Sequence, residues 1–358
     1  MTKTEITSFD LHFLIRELQT LVNERLDKIY VLEDRGVLLT FGNKVLVQAA
    51  PGKVWTPIER PPTPDQIHPF AAQLRKLIGN SKVIKLEQVC SERILALHVN
   101  RSEKHFVLYL EIFGRGNVVL TDGENVVITA LALNSRVTRG KPYQLPETPD
   151  TFHMSEHDFA LRFAQSTENV SKTLAVQFGL GKVLAEELCV RAGVPATDKT
   201  APEQASELLS ILKLLLAQPL RPQIISDESI VIDAVPVLFD CYANKKRENI
   251  DKFGAALDRI FAMPAEAIKE QKLTPVKKEL QKIETIIVMQ QKRLHELEQK
   301  AVEEQKKGEW LYEHYLEVQQ LLSNIVEAKK TLSWKDVKAK FKQIKELNEA
   351  TGDAIVEF

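Results

Sequence analysis

The stretch RILALHVNRSEKHFVLYLEIFGRGNVVLTD, Arg93–Asp122, decides the fold. Within it RILALHV, KHFVLYLEIFG and NVVLTD are short, apolar and rich in β-branched and aromatic residues, with GRGN as a turn between the last two. Runs of this length bounded by turn residues read as antiparallel strands. KVIKLEQV before them, and NVVITALAL after the turn TDGEN, extend the series. Ser91, Glu92 and Arg93 break the longer run KLEQVCSERILALHV (Lys85–Val99) in its middle. Charge inside an apolar pattern is costly unless it is paired or used. Glu92-Arg93 is therefore a solvated hairpin turn, a structural ion pair or a contact surface for a charged ligand.

Upstream, SFDLHFLIRELQTLV reads as a helix with Ser8 as N-cap, Leu11, Leu14, Leu18 and Leu21 on one face, and Asp10 in the first turn, where the helix dipole tolerates an anion. KIYVL, VLLTF and VLVQ, separated by EDRG and GNK, read as a meander. APGKVWTPIERPPTP is an irregular loop, and HPFAAQLRKLIGN is a helix with Pro69 in its first turn and Gly79-Asn80 as its stop. This first α+β unit, residues 1–148, closes near Tyr143–Pro146, and PETPDTFHMSEHD reads as a linker.

Residues 149–220 turn helical. In SKTLAVQFGLGKVLAEELCVRAGV an apolar helix ends in Gly179-Leu180-Gly181-Lys182 and a second starts at once. That is a helix-hairpin-helix, whose glycines let backbone N–H groups face a phosphate, or else a tight αα-hairpin whose glycines serve packing alone. A further helix near Glu203–Ala217 follows, and PQIISDESIVIDAVPVLF forms a small hairpin within residues 221–270. Residues 271–330 carry a heptad pattern, with Leu280, Ile287, Leu294, Ala301, Tyr315 and Leu322 at a and Ile283, Leu297, Leu311, Val318 and Ile325 at d. A seam of this kind needs a partner helix. Residues 331–358, the coil tip or a truncated end, are too few to return along it, so two chains pair as a homodimer or the chain stops before the returning helix.

With 44% hydrophobic and 27% charged residues the chain is an ordinary soluble protein of two or three compact units. Its net charge of −1 favours no polyanion, but Arg60–Lys141 holds 12 Lys/Arg against 7 Asp/Glu, a local excess of +5. Cys90, Cys189 and Cys241 are distant from one another and form no C-x-x-C, which suits a reducing compartment. The N-terminus lacks a signal-peptide core and no apolar run approaches 18 residues, so a cytoplasmic location away from membranes is expected. There is no Walker loop, G-x-S-x-G elbow or H-E-x-x-H. His153 and His157 sit four apart in a linker without a third ligand, so no metal and no cofactor are expected. In NSRVTRGKPY, Arg136, Arg139 and Lys141 are a solvated basic loop or a phosphate site.

Taken in order, DKIYVL, HPFAAQLRKLIGN, EQVCSERIL, GRGNVVLTD, SRVTRGKPYQLP, FGLGKVLAEELCVRAGV, NIDKFGAALDRIFA and KGEWLYEHYLEVQQLL resemble the NFACT proteins over most of the chain. These are the RqcH/NEMF-type ribosome quality-control factors, a group that includes fibronectin-binding-like proteins. The resemblance implies an N-terminal domain of formamidopyrimidine-DNA-glycosylase-like type, then a helix-hairpin-helix domain and a long coiled-coil helix. It also implies a factor that binds the large ribosomal subunit carrying stalled peptidyl-tRNA. There it would contact rRNA and position tRNA, alanyl-tRNA for instance, for mRNA-independent C-terminal tailing of the nascent chain. Bond formation would be the ribosome's, so no catalytic residue is expected.

Family members carry an acidic residue early in the first helix and an Asp-Arg pair in the later region, both tied to tRNA engagement. Asp10 fits the first, and Glu92-Arg93 stands at the second with Glu in place of Asp. With Arg136, Arg139, Lys141, Gly179, Gly181 and Lys182 these make the expected RNA-binding set. Full members continue to a C-terminal RNA-binding domain without counterpart here. The rival readings are a coiled-coil interaction scaffold, a general RNA- or DNA-binding protein without tailing activity, and a DNA glycosylase. Thr2-Lys3 follows Met1 where a glycosylase of this fold would need its proline nucleophile.

Overall fold

The computed structural model describes residues 2–227, 230–262, 265–347 and 354–356. They fall into two compact units, Met1–Pro264 and Ala265–Phe358. Helix α1, Ser8–Leu18, is capped by Thr7 rather than by the expected Ser8. The reason is spacing: Thr7 and Asp10 complete a capping box, in which Thr7 accepts from the Asp10 N–H while the Asp10 carboxylate accepts from the Thr7 N–H. Phe9, Leu11, Phe13, Leu14, Ile15 and Leu18 are buried on this helix, each such side chain stabilising the fold by roughly 1.5–3 kcal/mol.

Nine strands follow: β1 Arg25–Val31, β2 Val37–Phe41, β3 Leu46–Ala50, β4 Lys53–Trp55, β5 Ser81–Gln88, β6 Ile94–Arg101, β7 Lys104–Glu111, β8 Asn117–Asp122 and β9 Val127–Ala130. Helix α2, Pro69–Ile78, lies between β4 and β5 in the chain, with Pro69 in its first turn as expected. All the pairings are antiparallel, in the order β4-β3-β2-β1-β5-β6-β7-β8-β9. Strand β4 falls in the segment read as an irregular loop. Three residues are too few to display alternation, yet Val54 and Trp55 are buried on the sheet edge. The unbroken apolar run in β8 has a simple cause: Val118 and Leu120 enter the main core, and Val119 enters a second cluster with Val127, Val137 and Tyr143.

The sheet bends until its first edge meets its later turns. The Gly52 N–H in the β3–β4 turn donates to Ile112 O, the Ile6 N–H donates to Gly52 O (2.8 Å), and the Ile112 N–H donates to Arg93 O (2.9 Å). This seam of backbone bonds joins the N-terminal segment, the β3–β4 turn, the β7–β8 turn and the β5–β6 turn.

Four helices come next: α3 Glu156–Ala164, the single turn α4 Val170–Lys172, α5 Lys182–Ala192 and α6 Pro202–Ala217. The helix expected before Gly179 is that single turn continued by a π-helical turn, Thr173–Gln177. The hairpin thus forms, with a shorter and wider first arm. Strands β10 Gln223–Asp227, β11 Ile230–Val235 and β12 Lys246–Asn249 form a second sheet in the order β11-β10-β12. The expected hairpin therefore gains a third strand. Helix α7, Phe253–Phe261, ends the unit. Phe159, Phe178, Leu188, Leu212, Ile225 and Leu257 share one core with the nine-stranded sheet, so the segments read as 1–148, 149–220 and most of 221–270 pack as one body.

The second unit holds α8 Ala265–Glu313, α9 Tyr315–Lys329, α10 Trp334–Lys340 and a two-stranded pairing of β13 Ile344–Leu347 with β14 Ala354–Val356. At about 1.5 Å per residue, the 49 residues of α8 span roughly 70 Å. The Leu280 side chain lies outside the described ones; Ile283, Ile287, Leu294, Leu297 and Leu311 are exposed. Beyond the break at His314 the buried face keeps Ile325 of the heptad reading but takes Leu321 in place of Leu322. Leu321 and Ile325 pack with Val337 and Ile344, while Leu322 is exposed. Leu321, Ile325 and Ala328 meet α10 and β13 because they share one face of α9, and Leu332 joins them from the turn that follows.

Candidate functional site

The β5–β6 turn carries Ser91, Glu92 and Arg93 to the wall of a crevice of about 430 Å³. Glu5–Ser8, Thr148-Pro149 and the Ala175–Gly181 hairpin supply the other walls. The turn is braced from both sides. Gln88 Nε2 donates to Ser8 O (2.9 Å) and Glu92 O (2.8 Å). Ser91 Oγ donates to Pro149 O (3.0 Å) and accepts from the Thr151 N–H (2.8 Å), while Thr151 Oγ1 donates to Phe178 O (2.8 Å).

Arg93 does not pair with Glu92. Its Nη1 donates to Glu5 Oε2 (2.7 Å) and to Ile6 O (3.4 Å). The Arg93 side chain is 28% exposed, and its Nε and Nη2 groups have no protein partner among the described residues. The Glu92 carboxylate accepts from the Arg93 N–H (3.3 Å). The lining charges, Glu5, Glu92 and Arg93, leave the crevice one negative charge in excess. Such a surface offers one arginine fork and two carboxylates as acceptors, a set suited to base edges and ribose hydroxyls more than to a run of phosphates.

Gly179 and Gly181 line the same crevice. Gly181 caps α5 at φ +78° and ψ 163°, a conformation reserved for glycine, and a Cβ there would stand 3.2 Å from the Thr7 methyl. The α5 N-terminus has no side-chain cap, but the Gly181 N–H itself is taken by Ala175 O (3.1 Å) and the Leu180 N–H by Leu174 O (3.2 Å). Lys182 is exposed and reaches toward Glu186 (3.7 Å).

Asp10 is placed otherwise than expected: it is 3% exposed and already engaged, so its carboxylate has no surface for a nucleotide. Lys3 Nζ binds Asp10 Oδ2 (2.9 Å) and Asp233 Oδ1 (2.9 Å), and Thr7 Oγ1 adds a bond to Asp10 (2.9 Å). Burial alone would lower the Lys3 pKa; the two carboxylates outweigh it and raise it, so the ammonium stays charged. Asp10 acts on the crevice through the capping box that fixes Thr7. Lys3 and Glu5 carry no local sequence signal, since their partners are distant in the chain.

Arg136, Arg139 and Lys141 lie apart from this crevice. Arg136 Nη2 binds the buried Glu111 (3.1 Å) and Nη1 donates to Gln144 O (3.1 Å), while Arg139 and Lys141 are exposed. His153 is bound to Asp150 (2.9 Å), and His157 falls in the first turn of α3. Among the described residues no helix is long and apolar enough to cross a membrane.

Comparison with known proteins agrees along the chain. The archaeal Rqc2 homolog aRqcH of Methanocaldococcus jannaschii is 27% identical across 99% of this chain, which spans 58% of that relative's length. Ribosome quality control complex subunit 2 of Saccharomyces cerevisiae is 38% identical over 139 residues, 36% of this chain and 13% of its own. Among solved structures, the fibrinogen binding protein from Staphylococcus aureus matches at a TM-score of 0.59 and 18% identity, covering 72% of this chain and 99% of its own, which establishes a shared fold. The family described as NFACT N-terminal and middle domains matches residues 7–348. The chain belongs to the NFACT family.

Proposed function

We propose that this chain acts in ribosome-associated quality control, engaging a large ribosomal subunit that carries stalled peptidyl-tRNA and positioning tRNA for mRNA-independent tailing of the nascent chain. The relatives named as ribosome quality control complex subunits, and the archaeal homolog of one of them, support the first part. The observation that carries the second is Arg93: a braced, partly exposed guanidinium with two unpartnered donor groups at the mouth of a crevice rimmed by carboxylates. The protein's task on this reading is binding and orientation in the cytoplasm, with peptide-bond formation left to the ribosome. Gly179 and Gly181 shape the floor of the crevice, and Lys182, Arg139 and Lys141 add peripheral phosphate contacts. The sheet domain is read as related to the formamidopyrimidine-DNA-glycosylase type, and α8 as one strand of a coiled coil.

The test is tRNA affinity at matched salt. Arg93→Ala removes a charge-assisted bond of about 1.5–3 kcal/mol and is expected to weaken tRNA binding tenfold or more, with thermal stability near wild type. Unchanged affinity would remove Arg93 from the interface. A second reading, a coiled-coil scaffold without tRNA positioning, is favoured by the exposed apolar side chains along α8; it predicts that Arg93→Ala leaves ribosome association untouched.

A further inference from the structure

A second crevice, of about 320 Å³, opens beside the β7–β8 turn. Its charged lining is Arg35, Arg115, Arg136 and Glu111, two positive charges in excess. The first crevice has the opposite sign. Glu111 sits at the end of β7 with 5% exposure, and Tyr143 OH (2.8 Å) and Arg136 satisfy it. Arg136, also tied to Gln144 O and lying over the Phe113 ring (5.7 Å), is held in place. Arg35 and Arg115 are exposed and have no protein partner among the described residues. Arg35 sits at φ +62° in the turn after β1, and Arg115 is presented between Gly114 and Gly116, both at positive φ. Glycine is favoured at Gly116 for a further reason: a Cβ there would stand a tight 3.1 Å from Pro51 of the β3–β4 turn.

Three turns distant in sequence thus bring three guanidinium groups to one crevice, and among the described residues only Arg136 is neutralised. We propose that Arg35 and Arg115, with Arg136 fixed by Glu111, form a clamp for the phosphodiester backbone of RNA. Guanidinium forks match phosphate oxygens bidentately. The two crevices adjoin across the backbone seam, since Ile112, bonded to Arg93, precedes Phe113 of the second lining. One RNA strand can therefore present base edges to the acidic crevice and phosphates to the basic one. The choice of RNA over another polyanion rests on the function proposed above.

The experiment titrates the full chain with a fluorescent oligouridylate octamer and with tRNA across a series of KCl concentrations. The variants are Arg35→Gln/Arg115→Gln, Arg35→Lys/Arg115→Lys and Arg93→Gln. The glutamine pair is expected to lose about tenfold or more in affinity for both RNAs. The slope of log K against log salt should shrink by about 1.4 for the octamer, near 0.7 per lost phosphate contact. The lysine pair should recover the slope, with melting temperatures of both pairs at wild type. Wild-type affinity and slope in the glutamine pair would overturn the clamp, and loss of tRNA binding in Arg93→Gln would then leave the tRNA reading standing. If the glutamine pair loses the octamer while wild-type protein holds tRNA no more tightly than the octamer, the clamp stands and the tRNA reading falls. A wild-type chain that binds neither RNA overturns both.

Discussion

Lys3 shows how a single residue can join elements that the chain keeps far apart. Its ammonium binds Asp10 of α1 and Asp233 of β11 out of solvent. Lys3→Met would leave two carboxylates facing one another without a counter-charge, and unpairing a buried charge costs about 3–5 kcal/mol. Urea denaturation should show a loss of that size, and a loss below about 1 kcal/mol would mean that the cluster relaxes freely. Two histidines set a pH dependence. Burial lowers the pKa of His12 and of His98 from the ordinary 6.5, in His98 against the pull of Glu87. A folded pKa below the unfolded one means the stabilising contribution is complete above about pH 6.5 and drains as pH falls through the depressed values. Stability should therefore decline on acidification below 6.5, and a His12→Gln/His98→Gln chain should decline less over that range. At this scale Arg93 stood out in the sequence because charge inside an apolar run must be solvated, paired or used. Its partner Glu5 did not, since 88 residues separate them and no local pattern pairs them. Asp10 was legible as a first-turn anion, but only the fold reveals that Lys3 occupies it.

Elements were legible where the signal is local. Strands β6, β7 and β8 announce themselves by apolar runs between turn residues, and α2 by Pro69 and its terminal Gly79-Asn80. Strands β4 and β12, with three and four residues, carry too little pattern and exist because a neighbouring strand offers its edge. The π-helical turn before Gly179 is likewise set by tertiary fit, since Leu180 and Gly181 must bond back to Leu174 and Ala175. Helix α7 illustrates dependence between elements. It has no side-chain cap of its own, and Glu17 of α1 accepts from the Phe253 and Gly254 N–H groups instead. Glu17→Ala should destabilise the protein by about 0.5–2 kcal/mol, the usual range for a lost cap, as read by thermal melting. No change would show that water caps α7 equally well.

For the whole molecule, the sheet, the hairpin helices and the second sheet form one body whose backbone seam separates an acidic crevice from a basic one. Net charge of −1 conceals this division; the local excess of basic residues between Arg60 and Lys141 hinted at it without revealing which side chains meet. The heptad pattern located the long helix, but not the change of buried face past His314, which follows from packing against α10 and β13. On the proposed function this body presents a preformed surface to transfer RNA on a large ribosomal subunit. Ultraviolet crosslinking in cells, followed by sequencing of the RNA bound to this protein, tests it directly. The expected yield is tRNA and large-subunit rRNA, with the tRNA fraction depleted in Arg93→Ala. Recovery of neither RNA above an uncrosslinked control would contradict it.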